Sequence, residues 1–414
     1  MAWEMKIVGI LLVANYMQYV VNGAEQNPQV PCFFIFGDSM VDNGNNNPLP
    51  TLAKVNYHPY GIDNVHGPTG RFSNGRTPAD VLGQLLGFDE FIPPFTTATG
   101  SEILKGVNYA SGSAGIRGES GQQLGERLSL DRQLDNHQTT VSNIVIMLGS
   151  EKLATNHLRQ CLYYVGMGSN DYINNYFKPQ IYPTSLLYTP EQYAEVLIQQ
   201  YHNHIKRLYN NGARKVALIG LGLIGCTPFA ISNYDTKGSV CVDDMNIAAH
   251  HFNQKLISLV DHFNSNLTDA KFIYVDSFGI GLSGGPSGLT VSNVGCCPTD
   301  NNGHCIANQT SICEDRSSYV FWDSFHTTEV VNEYTAKRMY THLLPSDTYP
   351  IDISQLVQLQ LESSEPSKPF IKSLMQFFRA NFVSILLGNS YGIWCLLLKA
   401  KGMVRSFLTK PKNS

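Results

Sequence analysis

Short, unbroken apolar runs alternate with longer segments of helical periodicity along this chain. The runs lie at 32–36 ("CFFIF"), 161–165 ("CLYYV"), 216–220 ("VALIG") and 272–275 ("FIYV"), with a weaker one at 106–110 ("GVNYA"). None alternates apolar with polar residues, which fits central parallel strands buried on both faces. Between the second and third runs stands "TPEQYAEVLIQQYHNHIKRL". Thr189 suits its N-cap, Pro190 its first position, and Glu191 the positive end of its dipole. Tyr193, Val196, Leu197, Tyr201, Ile205 and Leu208 form a stripe at helical spacing, and Gly212 supplies the stop. Segments 243–263 and 328–343 repeat the helical pattern. Strands separated by such crossovers predict an α/β fold, its mostly parallel sheet covered on both faces. There is no internal repeat.

The two ends depart from this pattern. In residues 1–24, Lys6 precedes the apolar run "IVGILLVANYMQYVV", and "VNGAEQ" offers small residues for cleavage after Gly23 or Ala24. Asn15 and Gln18 break the run, so a cleaved secretory signal peptide is expected rather than a membrane anchor. "SSEPSKP" at 363–369 reads as a linker, and the folded body, residues 25–350, is expected to end near 350. The extension 351–414 contains "FVSILLGNSYGIWCLLL", interrupted by Gly388, Asn389, Ser390 and Gly392. A poorly ordered extension is expected there in preference to a membrane-associating helix.

Composition narrows the function classes. With 414 residues, 43% hydrophobic and 15% charged, the chain can bury a large core. A net charge of −4 without a basic block in the body argues against a nucleic-acid partner. Of nine cysteines, Cys296, Cys297, Cys305 and Cys313 crowd into one stretch, which reads as disulfide stapling in an oxidising compartment. A zinc site using them with His304 is the weaker reading, because no Cys-x-x-Cys pair occurs. Cys226 and Cys241 bracket a loop that a disulfide can close, and Cys395 is left as the odd cysteine. Sequons at Asn266 and Asn308 fit export and glycosylation.

Four polar clusters are candidates for chemistry. "FFIFGDSMVDNGNNN" delivers Ser39 at the carboxyl end of the first strand, where open α/β sheets bind ligands. Alone, such a junction is an ordinary polar turn. "NYASGSAGI" and "GMGSNDY" place Gly112, Gly115 and Asn170 on glycine-rich turns. "FWDSFH" sets Asp323 and His326 three residues apart, close enough on one helical turn for a carboxylate to orient an imidazole. A solvated surface pair is the commoner meaning of that spacing by itself.

Taken in order, these clusters resemble the plant GDSL esterase/lipase family within the SGNH hydrolases. The likeness runs over about residues 30–345 and includes "GPTGRFSNGRTPADVL", "GVNYASGSAGI", "YYVGMGSNDYINNY" and "YVFWDSFHTTE". It implies a single-domain, three-layer α/β/α sandwich and ester hydrolysis without metal or organic cofactor. Carried over by position, Ser39 is the nucleophile, His326 the general base and Asp323 its orienter. The Ser39 and Gly112 backbones, with the Asn170 side chain, supply the oxyanion donors, Gly112 being chosen over Gly115. Thr327 departs from the family, which usually carries Pro after the histidine, and a looser start to the last helix is expected.

"GLSGG" offers Ser283 as a rival nucleophile in a Gly-x-Ser-x-Gly pattern. Asp276-Ser277-Phe278-Gly279 intervene after the preceding apolar run and "PSG" follows, so a loop residue is expected instead. The leading reading is a secreted serine esterase or lipase acting on lipid-type or small-molecule esters. The alternatives are an extracellular acyltransferase using the same acyl-enzyme and, ranked last, a non-catalytic lipid-binding glycoprotein. No obligatory protein partner is evident, and membrane contact by the tail is not favoured.

Overall fold

A computed structural model describes residues 28–361. The signal-peptide reading, the tail beyond residue 361 and Cys395 therefore lie outside the described residues. Four short strands, β1 (Phe33–Gly37), β2 (Leu162–Gly166), β3 (Lys215–Ile219) and β4 (Lys271–Val275), pair in parallel in that order. The expected runs thus become strands, each within a residue or so of its predicted position. The weaker run at 106–110 lies along β1 without forming a full strand. Val107 O accepts from Ile35 N, and Tyr109 N donates to Ile35 O.

Helices cover both faces, as the unalternating strands require. They are α1 (Pro78–Leu85), α2 (Leu130–Leu148), α3 (Glu151–Leu158), α4 (Pro190–Asn210), α5 (Asp243–Asn266), α6 (Glu329–Tyr340) and α7 (Ile353–Gln358). Phe34, Phe36, Tyr163, Val165, Leu218 and Phe272 face a core shared with α2 to α5. The alternate residues, including Phe33, Ile35, Tyr164, Ile219 and Val275, face α1, α6 and α7. This is a three-layer α/β/α architecture. At the start of α4, Thr189 accepts from Gln192 N and the Gln192 side chain accepts from Thr189 N, a reciprocal cap.

A parallel pair of short strands, β5 (Val291–Gly295) and β6 (Tyr319–Phe321), forms a separate two-stranded sheet. The body does not stop at 350. β7 (Thr348–Tyr349) adds antiparallel to β4, and α7 then buries Ile353, Leu356 and Val357 against the second face. Three apolar residues in six carry too short a period to be recognised as a helix in sequence. Among the described residues no helix is long and apolar enough to cross a membrane.

Candidate active site

The site is assembled at the carboxyl ends of the strands. β1 ends at Gly37, where a Cβ would lie 2.6 Å from Val41 Cγ2 and 3.0 Å from Gly166 O, so only glycine fits. Buried Gln133 of α2 clamps this residue, accepting from Gly37 N at 3.1 Å and donating to Gly37 O at 2.9 Å. The strand end is thereby rigid where the chain turns into Asp38 and Ser39.

Ser39, His326 and Asp323 come together. Ser39 Oγ lies 2.7 Å from His326 Nε2, and His326 Nδ1 lies 2.7 Å from Asp323 Oδ2 and 2.9 Å from Oδ1. The spacing of three residues is realised in a tight loop rather than a helical turn. Asp323 Oδ1 accepts from the Phe325 and His326 amides at 2.8 Å each, and Trp322 N closes the loop on His326 O at 2.7 Å. Asp323 is fully buried. Burial opposes its ionisation, but the facing His326 and His304 rings and the Tyr60 hydroxyl outweigh it and hold the carboxyl below its ordinary range. Phe72 packs on the His326 ring at 4.8 Å between centroids and keeps it from rotating freely. A chain of this geometry can pass the serine proton to the imidazole while the carboxylate stabilises the imidazolium.

The oxyanion side differs in part from expectation. Among the described residues no hydrogen bond engages Ser39 N–H. Asn170 faces the same cavity as Ser39, with Nδ2 donating to Ala114 O at 2.9 Å and Oδ1 held by Asn174 Nδ2 at 2.7 Å. The second Nδ2 hydrogen is left for another acceptor. Gly112 N–H, however, donates to Asp42 Oδ2 at 2.9 Å, so this donor is already engaged. Gly115 sits further along, where a Cβ would meet the Asp171 carboxylate at 2.8 Å.

Thr327 does not loosen the last helix. Its hydroxyl donates to Asn332 Oδ1 at 2.5 Å within α6, and Ser73 Oγ holds its carbonyl at 3.2 Å. Ser283 makes no hydrogen bond to the imidazole among the described residues; its hydroxyl donates to Ile280 O at 2.8 Å and accepts from Arg338. Asn266 and Asn308 are both exposed. The crowded cysteines form Cys296–Cys313 and Cys297–Cys305, which leaves the zinc reading without thiolates. Cys226–Cys241 closes its loop as expected, and Cys32–Cys161 joins the starts of β1 and β2.

Sequence reasoning passed over several residues of this neighbourhood. Asp38 is 4% exposed, and burial pushes its carboxyl up to about 6 against the pull of the Met40 amide and the His326 charge. Its place between Gly37 and Ser39 was the available signal. Gln133 and Tyr60 had none, because they meet the site only through the fold. A cavity of about 880 Å³ opens beside Ser39, Asn170 and His326. Leu52, Leu124, Ile173, Phe229 and Phe325 contribute apolar walls.

Residues 33–339 match the family model for the GDSL-like lipase/acylhydrolase. The GDSL esterase/lipase At1g29670 of Arabidopsis thaliana is 51% identical over 357 residues, covering 84% of this chain and 98% of the relative. GDSL esterase/lipase At4g18970 of the same plant is 48% identical, covering 85% and 99%. The chain belongs to the GDSL-like lipase/acylhydrolase family.

Proposed function

We propose that the protein hydrolyses carboxylic esters through an acyl-enzyme on Ser39. The observation that carries this reading is the 2.7 Å contact between Ser39 Oγ and His326 Nε2, backed by buried Asp323. His326 takes the hydroxyl proton as Oγ adds to the ester carbonyl. The Ser39 amide and the Asn170 side chain receive the oxyanion, each such donor being worth about 3 kcal/mol of barrier. His326 then returns the proton to the leaving alcohol, and water repeats the sequence to release the acid. Gly112 joins this donor set only when Asp42 releases its amide.

The apolar walls beside Ser39 favour an acyl chain over a polar acyl group. Four disulfides among the described residues and two exposed sequon asparagines support export, with cleavage of residues 1–24 and glycosylation at Asn266 and Asn308. The test is paired substitution with short-chain acyl esters as substrates. Ser39→Ala abolishes turnover and Ser283→Ala leaves it within about twofold, since only a nucleophile is lost in the first. Parent activity in purified Ser39→Ala would remove the proposal.

A further inference from the structure

Tyr60 has no part in the mechanism above, yet its hydroxyl touches the carboxylate that the mechanism depends on. Its ring is 0% exposed and packs edge-on near Phe72 and Trp322. Its Oη lies 2.7 Å from Asp323 Oδ2 and 3.0 Å from Cys305 N. The chemistry of the two neighbours fixes the direction of both bonds. An ionised carboxylate only accepts and an amide N–H only donates, so the phenol gives its single proton to Asp323 and accepts from Cys305.

The two oxygens of Asp323 are held differently. Oδ1 receives two backbone amides, whereas Oδ2 has Tyr60 as its one donor besides His326 among the described residues. Without the phenol, Oδ2 keeps only the His326 imidazole, and the carboxylate loses the one fixed donor that holds this oxygen independently of the base. Cys305 is itself tied to Cys297, so the phenol is positioned by a disulfide-closed loop and not by a mobile side chain.

We propose that Tyr60 is a positioning residue for ester hydrolysis: it fixes the Asp323 carboxylate against His326 Nδ1 and withdraws part of its charge. The inference rests on the assignment of Ser39, His326 and Asp323 made above. Burial and the Asp323 charge push the Tyr60 phenol well above its ordinary range, which keeps the proton available to donate. The other titratable groups around the pair are Asp38, His304, Asp300 and Tyr57. His304 has its ring 6.3 Å from that of His326. A change at Tyr60 alone leaves all four in place.

Tyr60→Phe keeps the ring and removes one hydroxyl. It is expected to lower kcat by about tenfold, since a hydrogen bond to a charged group is lost. KM stays unchanged, because Tyr60 stands outside the cavity lining. The acid limb of kcat/KM moves to higher pH by about half a unit, because an unscreened Asp323 favours the imidazolium. In an Asp323→Asn background the same substitution costs little more, as expected of a residue acting through Asp323. If Tyr60→Phe fails to accumulate, fluorotyrosine at position 60 strengthens the donor and moves the acid limb to lower pH. An unmoved acid limb in either variant, or additive losses with Asp323→Asn, would overturn the proposal. Failure of the underlying assignment is separable, because it appears as activity retained in Ser39→Ala.

Discussion

Gly112 N–H donates to Asp42 Oδ2 at 2.9 Å, and this bond leaves the Ser39 amide and Asn170 as the proposed oxyanion donors beside Ser39. Asp42 is fully buried and also accepts the Gly44 and Asn45 amides at 2.8 Å each. The loop that carries Gly112 is therefore tied to the segment that follows the nucleophile.

With Gly112 engaged, the proposed oxyanion role falls more heavily on Asn170. Asn170→Ala is expected to lower kcat by roughly a hundred- to a thousandfold with KM little changed, the pattern for a donor used mainly in the transition state. Steady-state kinetics on one short-chain ester decides this. A loss confined to KM would assign Asn170 to substrate binding instead.

His137 of α2 gives a stability prediction with a defined sign. It is fully buried among Phe34, Phe36, Tyr109 and Tyr163, and neither ring nitrogen has a partner among the described residues. Burial, with a smaller push from Arg207, lowers its pKa from 6.5 to about 3. The folded state thus refuses a proton that the unfolded chain accepts. Stability from this group is present above the unfolded value and is lost as the pH falls from 6.5 towards about 3. In His137→Leu this dependence disappears. By about pH 4.5 the variant should have gained roughly 2–3 kcal/mol on the parent relative to their difference at neutral pH. Parallel melting-temperature curves against pH would contradict the assignment.

The end of the body can be located by truncation. Ile353, Leu356 and Val357 are buried, and Lys215 Nζ donates to Val357 O at 2.6 Å. Stopping the chain after Pro350 exposes the apolar surface under α7 and removes about 5 kcal/mol of burial, comparable to the whole stability of a domain. Such a chain is expected not to accumulate in soluble form. Stopping after Leu361 is proposed to leave esterase activity and melting temperature unchanged. Insolubility of the longer chain would show that residues 362–414 contribute to the body.

The strands were legible because burial on both faces leaves an unbroken apolar run, and α4 because Thr189 and Pro190 mark its start as plainly as its stripe marks its face. Ser39, Asp323 and His326 were legible through the ordered motifs around them. What sequence concealed is contact between distant segments. Tyr60 stands 263 residues from Asp323, and nothing around it forecasts their 2.7 Å bond. The bond from Gly112 to Asp42 spans 70 residues and engages the amide that the glycine-rich turn was expected to offer. Residues 353–358 were missed for a different reason, since one and a half turns show too little periodicity.

Intact-protein mass spectrometry of a rapidly quenched reaction measures directly whether Ser39 carries the acyl group, as proposed. With a p-nitrophenyl acyl ester, the parent protein should gain the mass of one acyl group, localised by peptide mapping to the segment containing Ser39. The adduct should be absent from Ser39→Ala, and in His326→Ala it should form far more slowly. An acyl group found on Ser283, or turnover by Ser39→Ala at the parent rate, would contradict the account.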